Sequence, residues 1–137
     1  MVHVREIDAA LRSIRTNVIS AIDVETGKVN YGVISAQSAA LKKWVDDFEN
    51  MYVEEAKRKP IEANKIASEG RALLEEAWHA YEVLLDVELQ AGEPPRPTKY
   101  ETLPSGVVSG ESRTEVLSLL RDLTNKFSKF RREAIKG

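Results

Sequence analysis

The sequence predicts an all-α fold: an elongated four-helix arrangement with long central helices and a Pro-rich strap before the C-terminal helix. Apolar residues recur at steps of three and four through four separate stretches, the spacing that stacks side chains on one face of a helix. Prolines and glycines crowd instead into one segment, where Pro94, Pro95, Pro97 and Pro104 stand with Gly92, Gly106 and Gly110. At 137 residues and without cysteine, the chain has the size of a single domain (1–137) that buries a core without disulfides.

The first helix is expected over 4–22, with Val4, Ile7, Leu11, Ile14 and Val18 as its stripe. Arg5, Arg12 and Arg15 gather along one flank with Asp8 among them. They form either a solvated edge, in which Asp8 pairs with Arg12 at i,i+4, or an arginine row facing phosphates. Residues 23–33 change period. Val24, Val29, Tyr31 and Val33 flank Glu25-Thr26-Gly27-Lys28, which reads as a small β-hairpin or as an irregular helix connection.

A second helix over 35–59 would bury Leu41, Trp44, Val45, Phe48, Met51 and Tyr52. Lys57, Arg58 and Lys59 fall in its last turn, where positive charge complements the helix dipole. Pro60 suits a first helical turn and not an interior. It therefore starts a third helix, 60–90, or kinks one continuous helix. That third helix would bury Ile66, Leu73, Leu74, Ala77, Trp78, Tyr81, Leu84 and Leu85. About 30 residues at roughly 1.5 Å each would span about 45 Å, a length suited to a bundle or to a subunit that shares apolar faces with copies of itself.

The strap, 91–110, is long for a connection without helix or strand, and such segments are usually functional or linkers. Ser112 and Glu115 match a capping box and start the last helix, 112–136. Its apolar stripe is Val116, Leu120, Leu123, Phe127, Phe130 and Ala134. Roughly opposite lie Arg121, Asn125, Lys129, Arg132 and Lys136, a cationic face offered to something anionic.

Formal charge is −2 and unevenly spread. Residues 33–91 hold 7 basic and 12 acidic side chains, whereas 111–137 hold 7 basic and 4 acidic. Such asymmetry marks an anionic partner, or two regions that attract each other in an oligomer. Abundant Glu, Lys and Arg, with two Gln, two Met and no Cys, lean towards a thermophile. No apolar run approaches the roughly 20 residues that span a bilayer. The first residues, with Glu6 and Asp8, lack the signal-peptide pattern, so an intracellular, soluble protein is expected.

Chemistry-bearing motifs are sparse. Glu76-Ala77-Trp78-His79 has the Glu-x-x-His spacing of di-iron bundles, but such sites need a second motif and the other histidine is His3. His79 falls nearly opposite the apolar face, near Glu75 and Glu82. Acidic pairs at Glu54–Glu55 and Glu75–Glu76, with Glu82 and Asp86, loosely resemble the all-α nucleoside triphosphate pyrophosphohydrolases, which hold Mg²⁺ with carboxylates from neighbouring helices. The later pair is separated by four positions where that family expects three. Gly-rich phosphate loops are absent, and Phe127 and Phe130 fall on the apolar face, not among the cations as in single-strand binders. No catalytic residue, metal or cofactor is expected.

In organisation the whole chain resembles the small helical coat proteins of filamentous double-stranded-DNA viruses of hyperthermophilic archaea. The resemblance lies in an arginine-bearing first helix, a helical body, no cysteine and a thermophile-like composition. It implies a virion protein that wraps duplex DNA non-specifically as a helical assembly of paired subunits. Arg5, Arg12 and Arg15, with Lys42 and Lys43, would then meet the phosphates. Arg121, Lys129, Arg132 and Lys136 form the competing basic stripe. The near-neutral charge departs from more basic members, and a second coat protein would supply the shortfall. The alternative is a cytoplasmic helical-bundle adaptor that oligomerises and turns its basic C-terminal helix to an acidic protein; the Mg²⁺-dependent pyrophosphohydrolase comes third.

Overall fold

The computed structural model describes residues 4–92, 96–97, 102–103 and 106–134. It is all-α, with helices α1 (Val4–Ala21), α2 (Tyr31–Arg58), α3 (Ala63–Gly92) and α4 (Gly110–Ala134). The central pair runs to 28 and 30 residues. Between α3 and α4, β1 (Arg96–Pro97) and β2 (Thr102–Leu103) make a two-residue antiparallel pairing. The expected strap, 91–110, is trimmed at both ends, because α3 runs on to Gly92 and α4 begins at Gly110. Within it Val108 is buried, and the part with Pro94, Pro95 and Pro104 lies outside the described residues.

Each helix runs antiparallel to the next, and α4 returns beside α1 to close a ring, the up-down-up-down bundle. The stripes expected for α1, α2 and α4 are the buried ones; only Val4, at the start of α1, is half-buried. Together with α3 they form one core within one chain, which leaves outer faces, not stripes, for contacts with further copies. Aromatic rings span the diagonal from α2 to α4. Trp44 stacks on Phe48 with centroids 5.2 Å apart, and Phe127 meets both edge-on at 5.6 and 5.8 Å. Offset and edge-on geometries of this kind add to burial because ring edges are positive and faces negative.

The α3 face differs from expectation. Trp78 is 38% exposed, and Tyr81 and Leu85 are half-buried, while Gly70, Ala80, Val87 and Ala91 take core positions. Close approach of α2 explains the glycine at Gly70. A Cβ on Gly70 would stand 2.6 Å from the Tyr52 ring, and one on Gly92 would stand 2.7 Å from Tyr31. Small residues line the contact because the tyrosine rings of α2 fill it.

Helix ends also shift. Residues 31–33 belong to α2, because Asn30 caps it: the Asn30 side chain accepts from the Val33 N–H at 3.1 Å. The preceding connection is the hairpin alternative in its smallest form, a turn closed by one antiparallel bridge rather than two strands. Single bridges pair Ile22 with Val29 and Lys28 with Val107, and Gly27 turns the chain at φ 76°, a conformation that disfavours any residue with a Cβ. Pro60 separates two helices and lies in neither. It forces Lys59 out of the helical region (φ −124°, ψ 73°), and α3 resumes at Ala63. At the start of α4 the cap is Ser109 in place of Ser112. The Ser109 hydroxyl accepts from the Ser112 N–H at 3.2 Å, and its carbonyl accepts from the Arg113 N–H at 3.0 Å.

Candidate nucleic-acid interface

The arginines of α1 and those of α4 belong to one face. Asp8 joins them: its carboxylate accepts from Arg12 Nε at 3.1 Å, one turn along α1, and sits 3.4 Å from Arg131 Nη1 on α4. One turn further on, Arg12 Nη2 reaches Ser128 Oγ at 3.4 Å. These contacts fix the antiparallel register of the two helices. With that register, Arg5, Arg12 and Arg15 on α1 share an outer edge with Arg121, Arg131 and Arg132 on α4.

The six differ in how tightly they are held. Arg5, Arg12, Arg121 and Arg132 are exposed. Arg121 lies 3.4 Å from the Asp122 carboxylate. Arg131 and Arg15 are half-buried, and Arg15 Nε is enclosed without a hydrogen-bond partner among the described residues. An enclosed donor without an acceptor costs about 1–3 kcal/mol, so Arg15 keeps unsatisfied hydrogen-bonding capacity under the face. The spacing of three and four that stacks the apolar stripe also sets these cations along its flank. Arg131 escapes a reading of the sequence because it adjoins the apolar stripe instead of lying opposite it.

The remaining expected cations go elsewhere. Lys129 turns to the α3/α4 groove, a cleft of about 300 Å³ lined by Glu69, Glu76, Lys126 and Glu133 among others. There Lys126 pairs with Glu76, and that carboxylate holds the ammonium above the ordinary lysine range. Lys42 and Lys43 project from α2, which packs on α1 and lies diagonal to α4. The α1 arginines instead flank the α4 side of α1, where Arg12 reaches Ser128, so the bundle does not group the two lysines with them. Lys43 pairs with Asp47 at 3.1 Å. Lys136 lies outside the described residues.

The acidic motifs do not converge. Glu76 turns to Lys126, while His79 faces Glu115 with Nε2 3.7 Å from its carboxylate. Glu54 pairs with Lys57, and Glu55 with Arg58 and Lys59. No group of three potential metal-ligating side chains occurs among the described residues, nor is any described helix long and apolar enough to cross a membrane.

No family model, curated protein or solved structure matches this chain. The arginine face presents guanidinium groups on two antiparallel helices, planar donors suited to oxyanions.

Proposed function

We propose that this chain is a structural nucleic-acid-packaging subunit, a virion coat protein that assembles in many copies into a helical filament around double-stranded DNA. The carrying observation is the shared α1/α4 face, where Arg12 and Arg131 hold the carboxylate of Asp8 between them and Arg5, Arg15, Arg121 and Arg132 lie along the same edge. From Arg5 to Arg15 is about 15 Å of helix, over which a duplex presents roughly nine phosphate charges. Contacts of this kind position a subunit without reading bases. The reading involves no cofactor and no catalytic step; a second, more basic coat protein is the further partner it allows.

The test is a salt titration of binding to long duplex DNA. Replacing Arg5, Arg12 and Arg15 together by Gln should lower the slope of log affinity against log salt by nearly one for every arginine that meets a phosphate. Helix content should stay unchanged. A slope equal to that of the unaltered chain would remove α1 from the interface.

A helical-bundle adaptor that binds an acidic protein is the second reading. Its favouring observation is that the group already seated between Arg12 and Arg131 is a carboxylate. An acidic peptide that binds while duplex DNA does not would select it.

A further inference from the structure

We infer that the outer face shared by α2 and α3, on the far side of the bundle from the arginines, docks a second copy of this chain about a two-fold axis. The inference does not rest on the DNA reading.

On that face Lys42 and Glu49 of α2 lie about 20° apart around the helix, and Arg71, Trp78 and Glu82 of α3 fall within about 40°. All five are exposed, and none of the four charged side chains has a partner within the chain among the described residues. By contrast, Lys43, Lys57, Arg58 and Lys126 all pair internally.

The two close approaches, Tyr52 on Gly70 and Tyr31 on Gly92, set the antiparallel register of α2 against α3. By that register Lys42 stands level with Ala80, Glu49 with Leu73 and Asp46 with Glu76. The midpoint between Arg71 and Glu82 lies between Glu76 and Ala77. The midpoint between Lys42 and Glu49 lies between Val45 and Asp46, which is the same level. Two opposite-charge pairs on different helices therefore share one centre.

A two-fold axis crossing the face at that level reverses the helix direction and keeps α2 over α2 and α3 over α3. It sets Arg71 against Glu82 of the second copy, and Lys42 against Glu49 of the second copy, each twice. The contact is isologous and closed. Trp78 is 38% exposed and lies about 2 Å along the helix from the axis. The two indoles would thus be offset by about 4–5 Å, within the range for stacked rings. Asp46, almost on the axis, meets its own copy and is the opposing contribution. The resulting pair keeps both arginine faces on its outside.

Sedimentation equilibrium without nucleic acid tests this, with the chain loaded from about 1 µM to about 1 mM, the range of weak to moderate association. The expected result is a monomer–dimer equilibrium that Arg71→Glu or Glu82→Arg weakens about tenfold or more and that the double variant restores. Lys42→Glu with Glu49→Lys should repeat the pattern, and Asp46→Asn should tighten the dimer. Circular dichroism of each variant checks that the bundle is intact, and these exposed sites lie outside the core. A monomer over the whole range overturns the inference. So does a dimer indifferent to the single reversals, or one that neither charge swap restores. Because no DNA is present, none of these outcomes bears on the packaging reading.

Discussion

The indole N–H of Trp44 on α2 donates to the main-chain oxygen of Ile7 on α1 at 2.9 Å, and Trp44 is only 1% exposed. Buried donors need acceptors, and a helix carbonyl has a second lone pair to offer. The bond ties α2 to the helix that carries Arg5, Arg12 and Arg15. Replacing Trp44 by Phe keeps most of the ring and removes the donor, so it should cost about 1–2 kcal/mol. Trp44→Ala should cost about 3–5 kcal/mol, because it also empties the aromatic core. Urea denaturation midpoints measure both. An unshifted midpoint for the Phe variant would show that the bond contributes nothing net.

Gly70 predicts a sign reversal. In an exposed helix interior, Gly→Ala gains up to about 1 kcal/mol. Here the new Cβ would meet three atoms of the Tyr52 ring between 2.6 and 2.9 Å. The ring is itself packed against Phe48 at 5.3 Å, so it cannot simply swing away. Gly70→Ala should destabilise by about 1–3 kcal/mol, and Tyr52→Leu in the same chain should recover part of that. A stabilised single variant would mean that α2 and α3 lie further apart.

The same pair of residues shows how much of the fold was legible in sequence. The stripes of α1, α2 and α4 could be read because large apolar residues mark them at helical spacing. The α3 face was legible only in part: Ile66, Leu73, Leu74, Ala77 and Leu84 are buried as expected, but Gly70, Ala80 and Ala91 carry little hydrophobic signal and escape. Trp78, the most conspicuous residue nearby, drew the expected face towards itself. The start of α2 was hidden because Val29, Tyr31 and Val33 alternate like a strand while Asn30 caps a helix. Within the candidate site, the α1 row was legible and its pairing of Asp8 with Arg12 is present. Its union with α4 was not, since only the tertiary register brings Arg131 to Asp8.

Asp23 gives a pH prediction. The Thr26 hydroxyl first, then the backbone N–H groups of Thr26 and Glu25, hold its carboxyl below the ordinary range. A group with a depressed folded pKa contributes stability above its unfolded pKa and loses that contribution as pH falls through the folded value. Asp23→Ala should therefore melt below wild type near neutral pH. The gap should close on acidification, below the ordinary carboxylate range. Thermal melts of both proteins at several pH values decide it, and a gap independent of pH would exclude the charged carboxylate as its source.

Asp8 is the anion that the arginine face already holds. Its side chain is 16% exposed, against 59% for Arg12 and 35% for Arg131, so the carboxylate sits beneath the cations it pairs. Two opposite consequences follow from neutralising it. The ion pairs are partly solvated, and their loss in Asp8→Asn should cost at most about 1 kcal/mol of stability. On the DNA-packaging reading, both guanidiniums would then be available to phosphate, and a repelling charge would leave the face. Affinity for duplex DNA should rise, with a salt slope steeper by up to about two per subunit. The measurement pairs a salt titration with a denaturation curve on the same variant. Weaker DNA binding at unchanged fold would mean that Asp8 orients Arg12 and Arg131 for the phosphate; unchanged binding with lower stability would leave the α1/α4 contact as structural alone.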